Sequence, residues 1–136
     1  MDHDAACPGE LVADLLPQQS RWMRFRIAQR AIEAWLLADV DKMATFLAVD
    51  KSRVPSLPDS LHDPKATLVA LARQSRSKVV TQQLVPRSSG GRVGPNYSAQ
   101  LAEFAASHWR PNVASKNSES LKRCLERVQE LTQFRP

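Results

Sequence analysis

The stretch RWMRFRIAQR at positions 21–30, followed directly by AIEAWLLAD at 31–39, decides the reading of the fold, because the hydrophobic period changes inside it. In the first half Met23, Phe25 and Ile27 alternate with Arg24 and Arg26. A period of two places alternate side chains on opposite faces, which is the mark of a half-buried strand, here with one cationic face. In the second half Ile32, Trp35 and Leu36 stand at i, i+3 and i+4, the spacing that lines one face of a helix. A strand leading into a helix is therefore predicted.

Working outward, the helical period dominates. Leu11, Leu15 and Leu16 predict a short helix over 9–16 that Pro17 ends. Asp39 or Asp41 is placed to cap a second helix burying Met43, Phe46 and Leu47. A loop follows at Val54-Pro55-Ser56-Leu57-Pro58, where fixed φ angles and missing donors disfavour regular structure. Asp63-Pro64 reads as a helix start, an acidic cap followed by proline at a position whose N–H is not needed. Leu68, Leu71, Ala72 and Ser75 continue that helix, and 78–85 leans toward helix on the spacing of Val80 and Leu84. Residues 88–95 form a glycine-containing loop. Tyr97, Leu101, Phe104, Ala105 and His108 predict an amphipathic helix ending near Pro111. A last helix, capped by Asn117 or Ser118, is expected to bury Leu121, Cys124, Leu125, Val128 and Leu131.

The chain is thus expected to be mainly α and a single domain over 1–136, a length suited to one compact unit. A lone strand at 21–30 leaves its backbone groups without ladder partners, so it is expected to need a sheet from elsewhere in a longer protein or from a partner chain. A hydrophobic content of 43% and a charged content of 24% fit a globular protein rather than a disordered one. No run approaches the roughly 18 apolar residues of a membrane span. The acidic start Met1-Asp2-His3-Asp4 does not resemble a signal peptide, so a cytoplasmic location is expected. Cys7 and Cys124, far apart in the chain, read as reduced structural thiols.

Charge is distributed unevenly. Residues 1–63 carry a net −3, whereas 64–102 hold Lys65, Arg73, Arg76, Lys78, Arg87 and Arg92 with no Asp or Glu. A 39-residue segment without acids cannot pair its cations within itself, and it projects a positive field. Nucleic acid or a phosphorylated ligand is the expected partner; a merely solvated basic face is the alternative. Within this segment Ser88-Ser89-Gly90-Gly91-Arg92-Val93-Gly94-Pro95 precedes a helix, and such a loop lets backbone N–H groups approach an anion. It lacks the Gly-Lys-Ser/Thr of a Walker A loop, and a plain surface turn is the other reading.

Asp2-x-Asp4 places two carboxylates on one side of an extended segment, about 7 Å apart. With Glu33 as a third, they form a candidate set for a hard divalent cation such as Mg²⁺. Spacing alone leaves the alternative of solvated surface aspartates open. No Ser or Cys stands in a nucleophile-elbow context, and His3, His62 and His108 have no partner at metal or triad spacing.

The run from Arg26 to Asp39 resembles the signature of the bacterial family known as domain of unknown function 4276. Further motifs follow in the same order: Phe46-Leu47 with Val49, Asp63-Pro64-Lys65, Leu84-Val85-Pro86, Gly91-Arg92-Val93-Gly94-Pro95 with Tyr97, His108-Trp109, and Ser118 to Leu121. The resemblance covers nearly the whole chain. It implies a Toprim-like α/β ancestry, with Asp2 and Asp4 matching an aspartate pair at a strand end and Glu33 a further acid. Together these would hold Mg²⁺ for phosphodiester chemistry, in a phage-defence-type system with an ATPase partner. Two departures stand out. The family's N-terminal strand with its glutamate, and the apolar strand leading into the aspartate pair, do not precede Met1. Ala31 also stands where relatives carry a second acid two residues before Glu33.

The chain is accordingly expected to be the helical C-terminal part of a Toprim-like protein, with one or two strands. It is either a Mg²⁺-dependent nuclease or its remnant, weak in isolation, or a noncatalytic module that binds nucleic acid or a partner protein.

Overall fold

The computed structural model describes residues 2–3, 13, 28–29 and 32–133. These are mainly helical. Two short strands, β1 (Asp2–His3) and β2 (Ala28–Gln29), pair in parallel with Asp2 opposite Ala28 and His3 opposite Gln29. Seven helices follow among the described residues: α1 (Ile32–Leu37), α2 (Val40–Leu47), α3 (Pro64–Arg73), α4 (Lys78–Leu84), α5 (Tyr97–Ser107), α6 (Pro111–Ala114) and α7 (Glu119–Gln133). Short 3₁₀ turns at Lys51–Arg53 and Pro58–Ser60 flank the proline-rich loop, so Pro58 opens a turn rather than excluding one. Of the strand predicted over 21–30, Ala28–Gln29 is described and is paired, its partner being the chain's own Asp2–His3. Trp22, Met23, Phe25 and Ile27 lie outside the described residues, as does the 9–16 helix except Ala13, which is helical.

Helix ends follow local chemistry. Asp39 caps α2 by accepting from Lys42 N, and Asp63 caps α3 by accepting from Ala66 N at 2.9 Å, with Pro64 buried behind it. Ser77 caps α4, which is helical as its spacing suggested. Ser118 Oγ accepts from Leu121 N at 3.2 Å at the start of α7. Helix α2 ends on Ala48 in the left-handed region at φ 52°, where its N–H reaches the carbonyls of Ala44 and Thr45.

The core gathers Leu37, Met43, Leu47, Leu68, Leu84 and Phe104, all fully buried, and the Phe46 and Phe104 rings lie 4.9 Å apart. Two predicted faces need correction. On α1 the inward residues are Glu33, Ala34, Leu36 and Leu37, while Ile32 is 54% exposed and Trp35 half-buried. Glu33 shares this inward face with three apolar residues and meets Tyr97 there, a partner that hydrophobic spacing cannot register. On α7 Leu121 is the buried residue; Cys124, Leu125 and Leu131 are half-buried and Val128 is 48% exposed. That helix is held to the body by Leu121 in its first turn and also touches β2, and its apolar stripe is covered only in part.

A second cluster (Ala38, Ala114, Leu121) joins the C-terminal part to α1, with Trp35, Trp109 and Leu125 against it. Trp35 Nε1 donates to Ser120 Oγ at 2.8 Å, Trp109 Nε1 to the Trp35 carbonyl at 3.1 Å, and Asn117 Nδ2 to the Ala38 carbonyl at 2.9 Å. Asp39, fully buried, accepts from Arg110 N, Nε and Nη2 at 2.7–3.0 Å. Asp59 accepts from Ser118 Oγ and Ser120 N, tying the Pro58–Ser60 turn to the start of α7.

Candidate functional site

Glu33 stands in the first turn of α1 and is 3% exposed. The Tyr97 hydroxyl, from the first residue of α5, donates to its Oε1 at 3.0 Å, and Lys65 Nζ lies 3.5 Å from the same oxygen. Its other oxygen, Oε2, is buried with no hydrogen-bond partner among the described residues. An unsatisfied buried carboxylate oxygen costs of order 1–3 kcal/mol, and it marks a place that calls for an explanation. Burial, reinforced by the neighbouring Glu33 carboxylate, pushes the Tyr97 phenol far above its ordinary range. Tyr97 therefore remains a protonated donor to Glu33 at any ordinary pH.

Beside this carboxylate lies a cavity of about 260 Å³. One wall is α3, where Lys65, Val69 and Arg73 recur every fourth residue and so face the same way. The opposite wall is the glycine loop, which contributes Gly91 and Arg92. What holds this loop is Gly94: its N–H donates to the Leu84 carbonyl at 2.9 Å, and Asn96 N donates to the Gln83 carbonyl at 3.1 Å. A Cβ on Gly94 would stand 2.4 Å from the Gln83 oxygen and 2.5 Å from the Leu84 carbonyl carbon, backbone atoms that cannot step aside. Arg92 is oriented by Asp63, whose Oδ2 it meets at 3.0 Å while Oδ1 caps α3. Arg73 is exposed and has no carboxylate partner among the described residues.

Of the six predicted cations, Lys65, Arg73 and Arg92 are brought together around the cavity. Arg76, Lys78 and Arg87 are exposed but do not line it. Of the predicted acids, Glu33 is buried as described, Asp2 is in β1, and Asp4 lies outside the described residues. The parallel pairing sets the C-terminal end of β1 beside that of β2, from which the chain leads into α1 and Glu33. Among the described residues no three of His, Cys, Asp and Glu gather as a metal-holding group. Sequence reasoning missed Tyr97 as the partner of Glu33, although a tyrosine on a buried stripe needs a mate for its hydroxyl. It also missed that Asp63, recognised as a cap, orients Arg92. Trp109 is a structural donor, and Cys124 is half-buried on α7.

No family model, curated protein or solved structure matches the chain. Among the described residues no helix is long and apolar enough to cross a membrane.

Proposed function

We propose that this chain is a nucleic-acid-associated protein of Toprim-like descent that engages phosphates through Lys65, Arg73 and Arg92. The observation that carries the reading is the convergence of these three cations, from α3 and the glycine loop, on one cavity. Arg76, Lys78 and Arg87, without acid partners among the described residues, extend positive charge outside it, and such cations attract a polyanion by releasing its counterions. The ATPase partner and the phage-defence setting belong to the same proposal through the family resemblance, and a cytoplasmic location is proposed with them.

Glu33 Oε2 is the kind of oxygen that a hard divalent cation takes, and in this reading it would hold Mg²⁺ with Asp2 and Asp4. When bound, Mg²⁺ polarises phosphoryl oxygens and orients water. Tyr97 fixes the Glu33 carboxylate from one side, and Lys65 balances its charge while facing the cavity. The second reading, a noncatalytic binding module, draws on the same contacts: a carboxylate held by a tyrosine and a lysine is also a stable structural element.

The test is retention of single- and double-stranded DNA and RNA across a salt series, with Arg73→Glu, Arg76→Glu and Arg92→Glu. Affinity should fall linearly in log–log form with salt, and the triple substitution should abolish retention at low salt with the helical circular dichroism unchanged. Retention that survives the substitutions would overturn the binding reading. Metal-dependent cleavage that disappears with Asp2→Asn/Asp4→Asn would select the nuclease over the binding module.

A further inference from the structure

We infer that the cavity between α3 and the glycine loop is a subsite for a phosphate monoester, carried at the end of a nucleic-acid strand or on a free mononucleotide. For the strand-end source this rests on the nucleic-acid reading above; for the mononucleotide it stands alone. The cavity lining carries three cations, Lys65, Arg73 and Arg92, against one carboxylate, Asp63. Both Asp63 oxygens are already engaged, by Ala66 N at 2.9 Å and Arg92 at 3.0 Å. Glu33 lies behind Lys65 and is not part of the lining. Set against Asp63 and Glu33 together, the three cations leave one positive charge, on Arg73. A monoester, with roughly −1.5 to −2 at neutral pH and three free oxygens, can engage all three cations, where a mid-strand diester offers two free oxygens and a single charge.

Size and walls agree. About 260 Å³, open to solvent on one side, is slightly below the range of roughly 300–1,000 Å³ typical of small-molecule pockets and has room for a phosphate and its sugar. Ala66, Val69, Ala70 and Pro86 supply apolar wall between the cations, a surface for the carbon face of a ribose. Gly91 lets the loop close against Pro86: a Cβ there would meet the Pro86 Cβ at 2.9 Å. Arg73, exposed and without a carboxylate partner among the described residues, presents its fork to the incoming oxygens.

The experiment compares the full chain's affinity for a short 3′-labelled single strand with a 5′-phosphate, a 3′-phosphate or neither, and for adenosine monophosphate against adenosine. Charge-assisted hydrogen bonds to a phosphate are stronger than neutral ones, so one of the phosphorylated strands should bind about tenfold tighter or better than the unphosphorylated strand. Adenosine monophosphate, and not adenosine, should compete. Arg73→Gln should erase the difference, while Arg76→Gln, outside the cavity, should weaken all strands equally and keep it. Equal affinity for all three strands, with salt-dependent binding intact, would overturn the subsite and leave the nucleic-acid reading standing. Binding of the mononucleotide without any strand would support the subsite and overturn the nucleic-acid reading. Binding of neither overturns both.

Discussion

The ammonium of Lys65 stands 3.5 Å from Glu33 Oε1, and the same side chain lines the cavity that Arg73 and Arg92 share. One cation therefore serves two anions, a fixed carboxylate behind it and whatever phosphate enters in front. The two compete for it, and removing one charge strengthens the hold on the other.

Glu33→Gln keeps the shape and retains an oxygen for Tyr97, but it removes the negative charge that engages Lys65. Phosphorylated ligands should bind roughly two- to fivefold tighter at low salt, an advantage that shrinks as salt screens the charges. Any Mg²⁺-stimulated cleavage should be lost in the same variant. Weaker ligand binding in Glu33→Gln, measured by fluorescence anisotropy, would show that Lys65 does not face the ligand.

The glycine loop offers a paired test. Gly94→Ala drives a methyl group into the backbone of Gln83 and Leu84, so the loop must lift and its two hydrogen bonds to the end of α4 break. The expected cost is about 1–3 kcal/mol, the range for overpacking, with ligand affinity lost as well because Arg92 moves with the loop. Gly90→Ala meets nothing within 4 Å. That variant should be neutral or up to about 1 kcal/mol more stable, since it restricts the unfolded chain. Urea unfolding of the two proteins separates these outcomes.

Asp39 predicts a pH dependence. Burial works to raise its pKa, but the side-chain and backbone hydrogen bonds of Arg110, with Lys42 N, outweigh it and hold the carboxyl below its ordinary value. A carboxyl depressed on folding contributes stability that is complete above its unfolded pKa of about 3.9 and disappears as pH falls through the lower folded value. Asp39→Asn keeps a capping oxygen but removes the charge. It should be less stable than the parent at pH 7, and the difference should close as the pH drops from about 4 toward 2. A difference that is constant across that range, in denaturant titrations, would show that the charge is not what Arg110 recognises.

Much of the helical framework was legible because its signals are local. Asp63-Pro64 opens α3, Ser118 opens α7, and the Tyr97, Leu101, Phe104 stripe is buried as its spacing indicated. What escaped depends on residues far apart in the chain. On α1 hydrophobic spacing puts Ile32 inward, whereas Glu33 stands inside with its partner Tyr97, 64 positions away. Asp39 was readable as a cap, but its clamp on Arg110 spans 71 positions. The acid-free segment announced a positive field. It did not show that the loop held by Gly94 on the end of α4 brings Arg92 opposite Lys65 and Arg73.

The bonds that Trp35, Ala38 and Asp39 make with Ser120, Trp109, Asn117 and Arg110 close loops of 71–85 residues onto one helix and its following turn. Loop closure is entropically costly before such contacts can reward it. This short segment consequently acquires its native surroundings late, after the C-terminal third has arrived, and folding should be slower than the helical content suggests. The same connectivity makes the protein hard to dissect. A chain cut before Arg110 would retain every residue of α1 yet expose Asp39 and strip Trp35 of its partners, so an N-terminal fragment is not a smaller version of the whole.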